Sequence, residues 1–253
     1  MTKHHAVFMM VYNTTAAQLE LTIQAIDSVL AQDIGNLDFY IVNNGSDGVT
    51  SKYLSDRWQD KREFFLVTLA DNSSPLKIAN FWTREIFKDY EKILGVPNDV
   101  ILPPNLYRLM DEWPRGFVTA SMTGERGFRM FDKATAVNEC TPMAVMLTRR
   151  WAYEALVAKD GYFLDEGFFH YASDCDLALR MAACGIHGIQ LDVEYYHYGS
   201  ASWRMAIPEV AQQITRQADI DRAYFSSKWG FPVEDELYGK CCGDINFRGI
   251  VRK

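Results

Sequence analysis

Three short apolar runs dominate the first third of the chain: residues 6–12 (AVFMMVY), 37–42 (LDFYIV) and 64–69 (FFLVTL). Each is too short for a helix and apolar enough for a strand buried on both faces. Between them lie polar, turn-forming residues followed by helical spacing, first over residues 19–30 and then from Tyr53 onward. Strand, polar loop and helix in repetition specify an α/β fold, a single Rossmann-like, mostly parallel sheet flanked by helices. In such sheets ligands bind beyond the carboxyl ends of the strands. The loops at residues 13–15 and 43–48 lie there, so the connectivity alone predicts where a pocket forms.

The reading continues along the chain. Asn13, Thr14 and Thr15 are candidate caps for the first helix. Residues 78–94 read as a helix through Ile78, Phe81, Trp82, Ile86 and Tyr90. Strands are expected over residues 117–122, 140–148 and 190–196. A carboxylate-rich loop enters a helix across residues 165–182, with Ser173 and Asp174 as its expected N-cap. Residues 208–224 read as a terminal helix, followed by the aromatic cluster of Tyr224, Phe225 and Trp229.

The chain has 253 residues and a formal charge of −7, which argues against a nucleic-acid partner. Phosphorylated small molecules remain compatible, because a divalent cation bridges carboxylates to phosphates. No apolar run is long enough to span a bilayer, and the first residues lack the pattern of a secretory leader. The five cysteines, Cys140, Cys175, Cys184, Cys241 and Cys242, show no disulfide or zinc spacing. Reduced thiols and a cytoplasmic protein, bacterial or viral in a host cell, are the expectation. Arg248, Arg252 and Lys253 read as a solvated tail.

Three segments carry chemistry. In VPNDVILPPN (residues 96–105), Asp99 follows a buried strand and precedes a stiff double proline, where a carboxylate can hold a divalent ion. In GYFLDEGFFHYASDCDLALR (residues 161–180), Asp165, Glu166, Asp174 and Asp176 lie among aromatics. A carboxylate at a helix N-terminus is stabilised as an anion, which suits a general base. In YYHYGSAS (residues 195–202), His197 comes just after a strand, beside small residues that permit close backbone approach. Each segment alone has a plainer reading: turn chemistry for Asp99, a helix cap for Asp174, a structural histidine for His197.

Taken in order, the segments resemble family 2 glycosyltransferases of the GT-A fold, in particular the rhamnosyltransferase-like branch. VFMMVYNTTAAQLELTIQAIDSVLAQD is similar to the family's first strand and helix, and IVNNGSDGVT to its nucleotide-binding turn. VPNDVILPPN resembles the metal-binding region, and GYFLDEGFFHYASDCDLALR the acceptor and base segment. YYHYGSAS resembles the downstream histidine motif, and FSSKWG (residues 225–230) a tail found in that family.

The resemblance implies a GT-A domain over residues 1–230, with a donor half of about 1–105 and an acceptor half of about 106–205, and a helical appendage over 206–253. It implies inverting transfer of a sugar from a nucleotide-sugar donor, UDP or dTDP first, to a glycan, lipid-linked or protein acceptor in glycan biosynthesis. Tyr12, Asn13, Asn43, Asn44 and Asn98 would bind the donor. Asp99 and His197 would hold Mn²⁺ or Mg²⁺. Asp174 would be the base, with Asp176 as runner-up, and Asp165, Glu166 and Trp203 would form the acceptor side. The chain departs from the family at Asn98 and Ser173, where acids are common, and at Asn43, which replaces an Asp. These departures keep open a non-catalytic nucleotide- or sugar-binding protein on the same fold. A nucleotidyltransferase fits less well, because Tyr12-Asn13-Thr14-Thr15 stands where its Gly-rich phosphate loop belongs.

Overall fold

The computed structural model describes residues 5–58, 64–123, 133–138, 144–199 and 204–233. In order these form β1 (His5–Val11), α1 (Ala16–Leu30), β2 (Leu37–Asn44), α2 (Gly48–Trp58), β3 (Phe64–Leu69), α3 (Pro75–Ile86), β4 (Lys92–Gly95) and β5 (Val100–Ile101). There follow α4 (Leu106–Asp111), β6 (Phe117–Thr123), β7 (Ala136–Asn138), β8 (Met146–Arg149), α5 (Arg150–Asp160), α6 (Ser173–Ala183), β9 (Gly188–His197) and α7 (Pro208–Trp229). The strands make one sheet in the order β3-β2-β1-β4-β8-β6-β9-β5, with β7 beside β9. The long ladders β1·β2, β2·β3 and β6·β9 are parallel, and β4 pairs β1 in parallel; β8, β5 and β7 run antiparallel to their neighbours. The expected mostly parallel α/β sheet flanked by helices is thus observed.

Alternation along the strands buries both faces of the sheet. Val7, Met9 and Val11 join Phe39 and Ile41 beneath α1 and α2, through Ala25, Ile26, Val29, Leu54 and Trp58. Ala6 and Ile93 pack on the opposite face against Ile86 and Phe87. A sheet covered on both sides needs strands that are apolar throughout, which is why residues 6–12 and 37–42 read so clearly. Among the described residues, no helix is long and apolar enough to cross a membrane.

Several boundaries differ from those expected. The helix read over residues 78–94 stops at Ile86, and Lys92–Gly95 is a central strand between β1 and β8. Ile86, Tyr90 and Leu94 continue a four-residue spacing, but sheet pairing overrides it. The turn at residues 43–48 is shorter, because β2 runs through Asn44 and α2 already begins at Gly48. Asp47 caps α2, its Oδ1 accepting the Thr50 N–H at 2.7 Å. The cap of α1 is Thr15, in a reciprocal box with Gln18. The strand read from Cys140 begins at Met146 within the described residues, while 139–143 lie outside them. Helices α4 and α5 and strand β7 were not expected, and α7 runs on to Trp229.

At Gly45 the backbone is left-handed, with φ of 74°. A Cβ there would lie 2.4 Å from both the Asn72 nitrogen and the Asp71 carbonyl carbon. Both contacts are backbone, so neither yields by a rotamer change. Gly45→Ala is expected to destabilise the fold by about 2–4 kcal/mol, from strain and displacement together. Urea unfolding checks this, and a loss below about 1 kcal/mol would contradict it.

Candidate functional site

The sheet order reverses at β1: β2 and β3 lie to one side of it, β4 to the other. The crevice above such a reversal is where doubly wound sheets bind ligands. Here the carboxyl ends of β1 and β4 carry Tyr12-Asn13 and Asn98-Asp99. Asn98 Nδ2 bridges the gap by donating to Asn13 Oδ1 at 3.0 Å and to Thr22 Oγ1 at 2.9 Å. Asn13 in turn donates to Thr22 Oγ1 at 2.9 Å. The next loop is tied in as well, the Asp47 N–H donating to the Asn13 carbonyl at 2.8 Å.

The four asparagines expected to meet a donor therefore spend their amides on the protein. Asn13, Asn43 and Asn44 are buried. Asn43 donates to Ser51 Oγ at 2.9 Å and accepts the Ser46 N–H at 3.2 Å. Asn44 donates to Asn72 Oδ1 and the Ser73 carbonyl, each at 2.9 Å, and accepts the Ser73 N–H at 2.8 Å. Buried amides have to be paired in this way. They fix the loops at the strand ends, where Tyr12, just beyond β1, is partly exposed.

Asp99 and His197 meet through sheet pairing. β5 runs antiparallel to the end of β9, with Val100 opposite His197. The Tyr198 N–H donates to the Asp99 carbonyl at 3.0 Å, which brings His197 Nε2 within 3.2 Å of Asp99 Oδ1. The other ring nitrogen, Nδ1, lies 3.1 Å from Met122 Sδ. A bulge in the β6·β9 ladder, where Ala120 faces Leu191 but Ser121 faces Glu194, re-aims the last turn of β9 toward β5. His197 is the final residue of the strand rather than the first beyond it.

One carboxylate and one imidazole suit a hard divalent ion in donor type. Among the described residues, no third His, Cys, Asp or Glu converges with them. The pair therefore fits Mn²⁺ or Mg²⁺ only as a partial shell, one that phosphate oxygens and water complete, the arrangement usual where such ions travel with a nucleotide.

Asp174 opens α6. The cap is Ala172 rather than Ser173, and Ala172 is left-handed, with φ of 57°. That conformation costs an alanine on the order of 1–3 kcal/mol, and such strain gathers at functional sites. Ser173 donates instead to the His170 carbonyl at 2.7 Å. Asp174 is exposed at the helix N-terminus, its Oδ1 accepting the Cys175 N–H at 2.9 Å. Its neighbour Asp176 is fully buried: Arg180 Nε donates to Oδ2 at 2.8 Å, and Trp229 Nε1 donates to Oδ1 at 2.9 Å. A carboxylate locked in this way has no route to an acceptor. Asp176 holds the helix.

His170, which sequence reasoning passed over, lies within electrostatic reach of Asp99 and Asp174. His170 is exposed to solvent, yet neighbouring atoms crowd its ring closely enough to desolvate it in part. Burial there dominates and holds its imidazole below the usual histidine range, against the opposing pull of Asp174, Asp221 and Asp99. Asp99 and Asp174, from opposite halves of the chain, thus both act on one side chain.

On the other expected positions, Asp165 accepts from Lys228, from Tyr224 Oη at 3.2 Å and from the Gly167 N–H at 2.9 Å. Burial alone would raise its carboxyl, but the Lys228 ammonium and these donors hold it below the usual range. Glu166 is exposed and accepts from Asn80 Nδ2 at 3.0 Å. The same Asn80 pins both backbone groups of Leu164, each at 2.8 Å. Trp203, Cys140, Cys241, Cys242 and the basic tail lie outside the described residues. Cys184 is a free thiol.

No protein-family model and no curated protein sequence matches the chain. Among solved structures, it is similar to S. aureus TarS 1–349, with a TM-score of 0.57 and 15% identity over 92% of this chain and 74% of that one. That protein has also been solved in complex with UDP and with UDP-GlcNAc. In the longer TarS structure the match spans 43% of that chain, at a TM-score of 0.56 and 16% identity. The chain is likewise similar to the mannosyltransferase PcManGT from Pyrobaculum calidifontis in complex with GDP-Man and Mn²⁺, with a TM-score of 0.57 and 15% identity over 87% of this chain and 70% of that one. At such identities the likeness is one of fold. The fold is that of the GT-A glycosyltransferases.

Proposed function

We propose that the chain is an inverting glycosyltransferase that moves a sugar from a nucleoside-diphosphate sugar to an acceptor hydroxyl, with Mn²⁺ or Mg²⁺ bound. The observation that carries this reading is the Asp99–His197 pair beside a switch-point crevice on this fold, with Asp174 exposed in the first turn of α6. Structural neighbours that bind UDP, UDP-GlcNAc and GDP-Man with Mn²⁺ support a nucleotide-sugar donor.

In this reading residues up to about 105 form the donor half, residues 106–205 the acceptor half, and the remainder a helical appendage. Tyr12 offers its ring to the nucleobase. Asn13, Asn43, Asn44 and Asn98 act by shaping the loops around the donor. Asp99 and His197 would hold the metal ion. The bound ion would offset charge on the departing nucleoside diphosphate. Asp174 takes the proton from the acceptor hydroxyl as that oxygen attacks the anomeric carbon from the face opposite the leaving group. One displacement inverts the centre, so a single base suffices. Glu166 and Trp203 belong to the acceptor side, and Asp165 shapes it through Lys228.

Release of UDP from UDP-GlcNAc, or of GDP from GDP-mannose, in the presence of Mn²⁺ tests this with water as the acceptor. Asp99→Asn is expected to lower that rate by about 10²-fold or more. Turnover that is indifferent to Asp99 would overturn the metal assignment. Nucleotide binding without any release would leave the non-catalytic binding protein.

A further inference from the structure

The backbone entering α6 passes through the left-handed Ala172, a conformation that an unsupported chain avoids. Its support comes from α7. Asp221 is fully buried, and its carboxylate accepts three successive backbone N–H groups. Phe169 donates to Oδ1 at 2.9 Å, while His170 and Tyr171 donate to Oδ2 at 2.9 and 2.8 Å. Gln217, one turn earlier on α7, donates to Oδ1 at 3.0 Å.

Consecutive N–H groups aimed at one anion fix the curvature of a loop, much as a backbone nest grips a bound phosphate. Docking of α7 does not call for this carboxylate. Phe225 and Trp229 already pack against Leu76, Phe168 and Leu179. Burying a charge is unfavourable unless its hydrogen bonds are used, and here three of the four go to the loop that ends at Asp174.

We propose that Asp221 is a positioning residue for transfer, holding residues 169–171 so that Asp174 faces the acceptor. The catalytic half of this statement rests on the transferase reading of Asp174; the structural half does not. Asp221→Asn keeps the shape but turns an NH₂ group toward backbone N–H donors whichever way the amide lies. The loop then relaxes at Ala172 while the apolar face of α7 stays docked.

Two readouts on the full chain test this. Amide exchange at residues 169–171 is expected to be slow in the wild type and about tenfold faster in Asp221→Asn, with exchange within α7 unchanged. In the nucleotide-release assay with UDP-GlcNAc or GDP-mannose and Mn²⁺, the same variant is expected to lose about 10²-fold in kcat, with KM for the donor within about threefold. Ala172→Gly on that background removes the strain, since glycine adopts this φ freely, and should recover about tenfold in kcat.

Unchanged exchange at 169–171 would overturn the proposal. So would exchange that rises throughout α7 with no rescue by Ala172→Gly, which is the signature of a mere helix anchor. If Asp221→Asn does not fold, Gln217→Ala frees one lone pair of the carboxylate without orphaning a backbone donor. About threefold faster exchange at 169–171 then supports the proposal, and a wild-type rate overturns it. If the wild type releases neither UDP nor GDP, the transferase reading fails, and the exchange experiment still decides whether Asp221 holds the loop.

Discussion

Asp174→Asn is expected to abolish transfer while leaving the nucleotide site intact. The side chain is exposed at the first turn of α6 and, among the described residues, accepts a hydrogen bond only from the N–H of the next residue, so its removal breaks no buried network there. Loss of a general base typically costs 10²–10⁴-fold, and kcat is expected to fall by about 10³-fold. The dissociation constant for UDP or GDP with Mn²⁺ should stay within about threefold of wild type, because the base acts on the acceptor and not on the diphosphate. Stability should change by no more than about 1 kcal/mol, the scale of one helix-terminal charge. Parallel loss of nucleotide binding would remove Asp174 from the acceptor side, and undiminished turnover would remove it from the chemistry.

Arg180→Ala is expected to produce the opposite pattern, a large loss of stability. Arg180 is 1% exposed, and its guanidinium donates to Asp176, to Asp160 at 3.4 Å and to the carbonyls of Tyr162 and Phe163. Cutting it away leaves two loop carbonyls and two carboxylates short of donors in the interior. Asp176 would keep Trp229 Nε1 and Lys228, which is incomplete compensation. Breaking one side of such a buried pair costs about 3–5 kcal/mol. For a domain of this size that lowers Tm by roughly 6–20 °C. A change below about 1 kcal/mol in urea unfolding would mean that water or Lys228 satisfies the site. The two variants together separate the acidic pair: Asp174 for chemistry, Asp176 for the fold.

Strands β1 and β2 were legible because burial on both faces leaves an apolar run with nothing to mimic it, and β3, at the sheet edge, through its apolar and β-branched residues alone. β4 was not, since the spacing of Ile86, Tyr90 and Leu94 imitates a helix and only its sheet neighbours decide otherwise. Helix α5 left a readable signal that went unused: Ala152 and Leu156 are spaced by four, and Gly161 follows with the positive φ of a helix stop. In the site, residue type and neighbourhood were legible but orientation was not. Asn13, Asn43, Asn44 and Asn98 do cluster at the strand ends, yet their amides turn inward to Thr22, Ser51 and Asn72. Asp221 carried little local mark, because beside Gln217 its partners are backbone N–H groups about fifty residues earlier. His170 lay inside a segment read for its carboxylates, and only the fold brings it within electrostatic reach of Asp174 and Asp99.

Calorimetric titration of the full chain with UDP, dTDP and GDP, each with and without Mn²⁺, tests the donor site most directly. The account predicts that at least one nucleoside diphosphate binds with Mn²⁺ at micromolar to submillimolar affinity. That binding should weaken by about tenfold or more both without the metal and in Asp99→Asn. Millimolar nucleotide that fails to bind with Mn²⁺ present, or that binds equally well without metal and without Asp99, would contradict it.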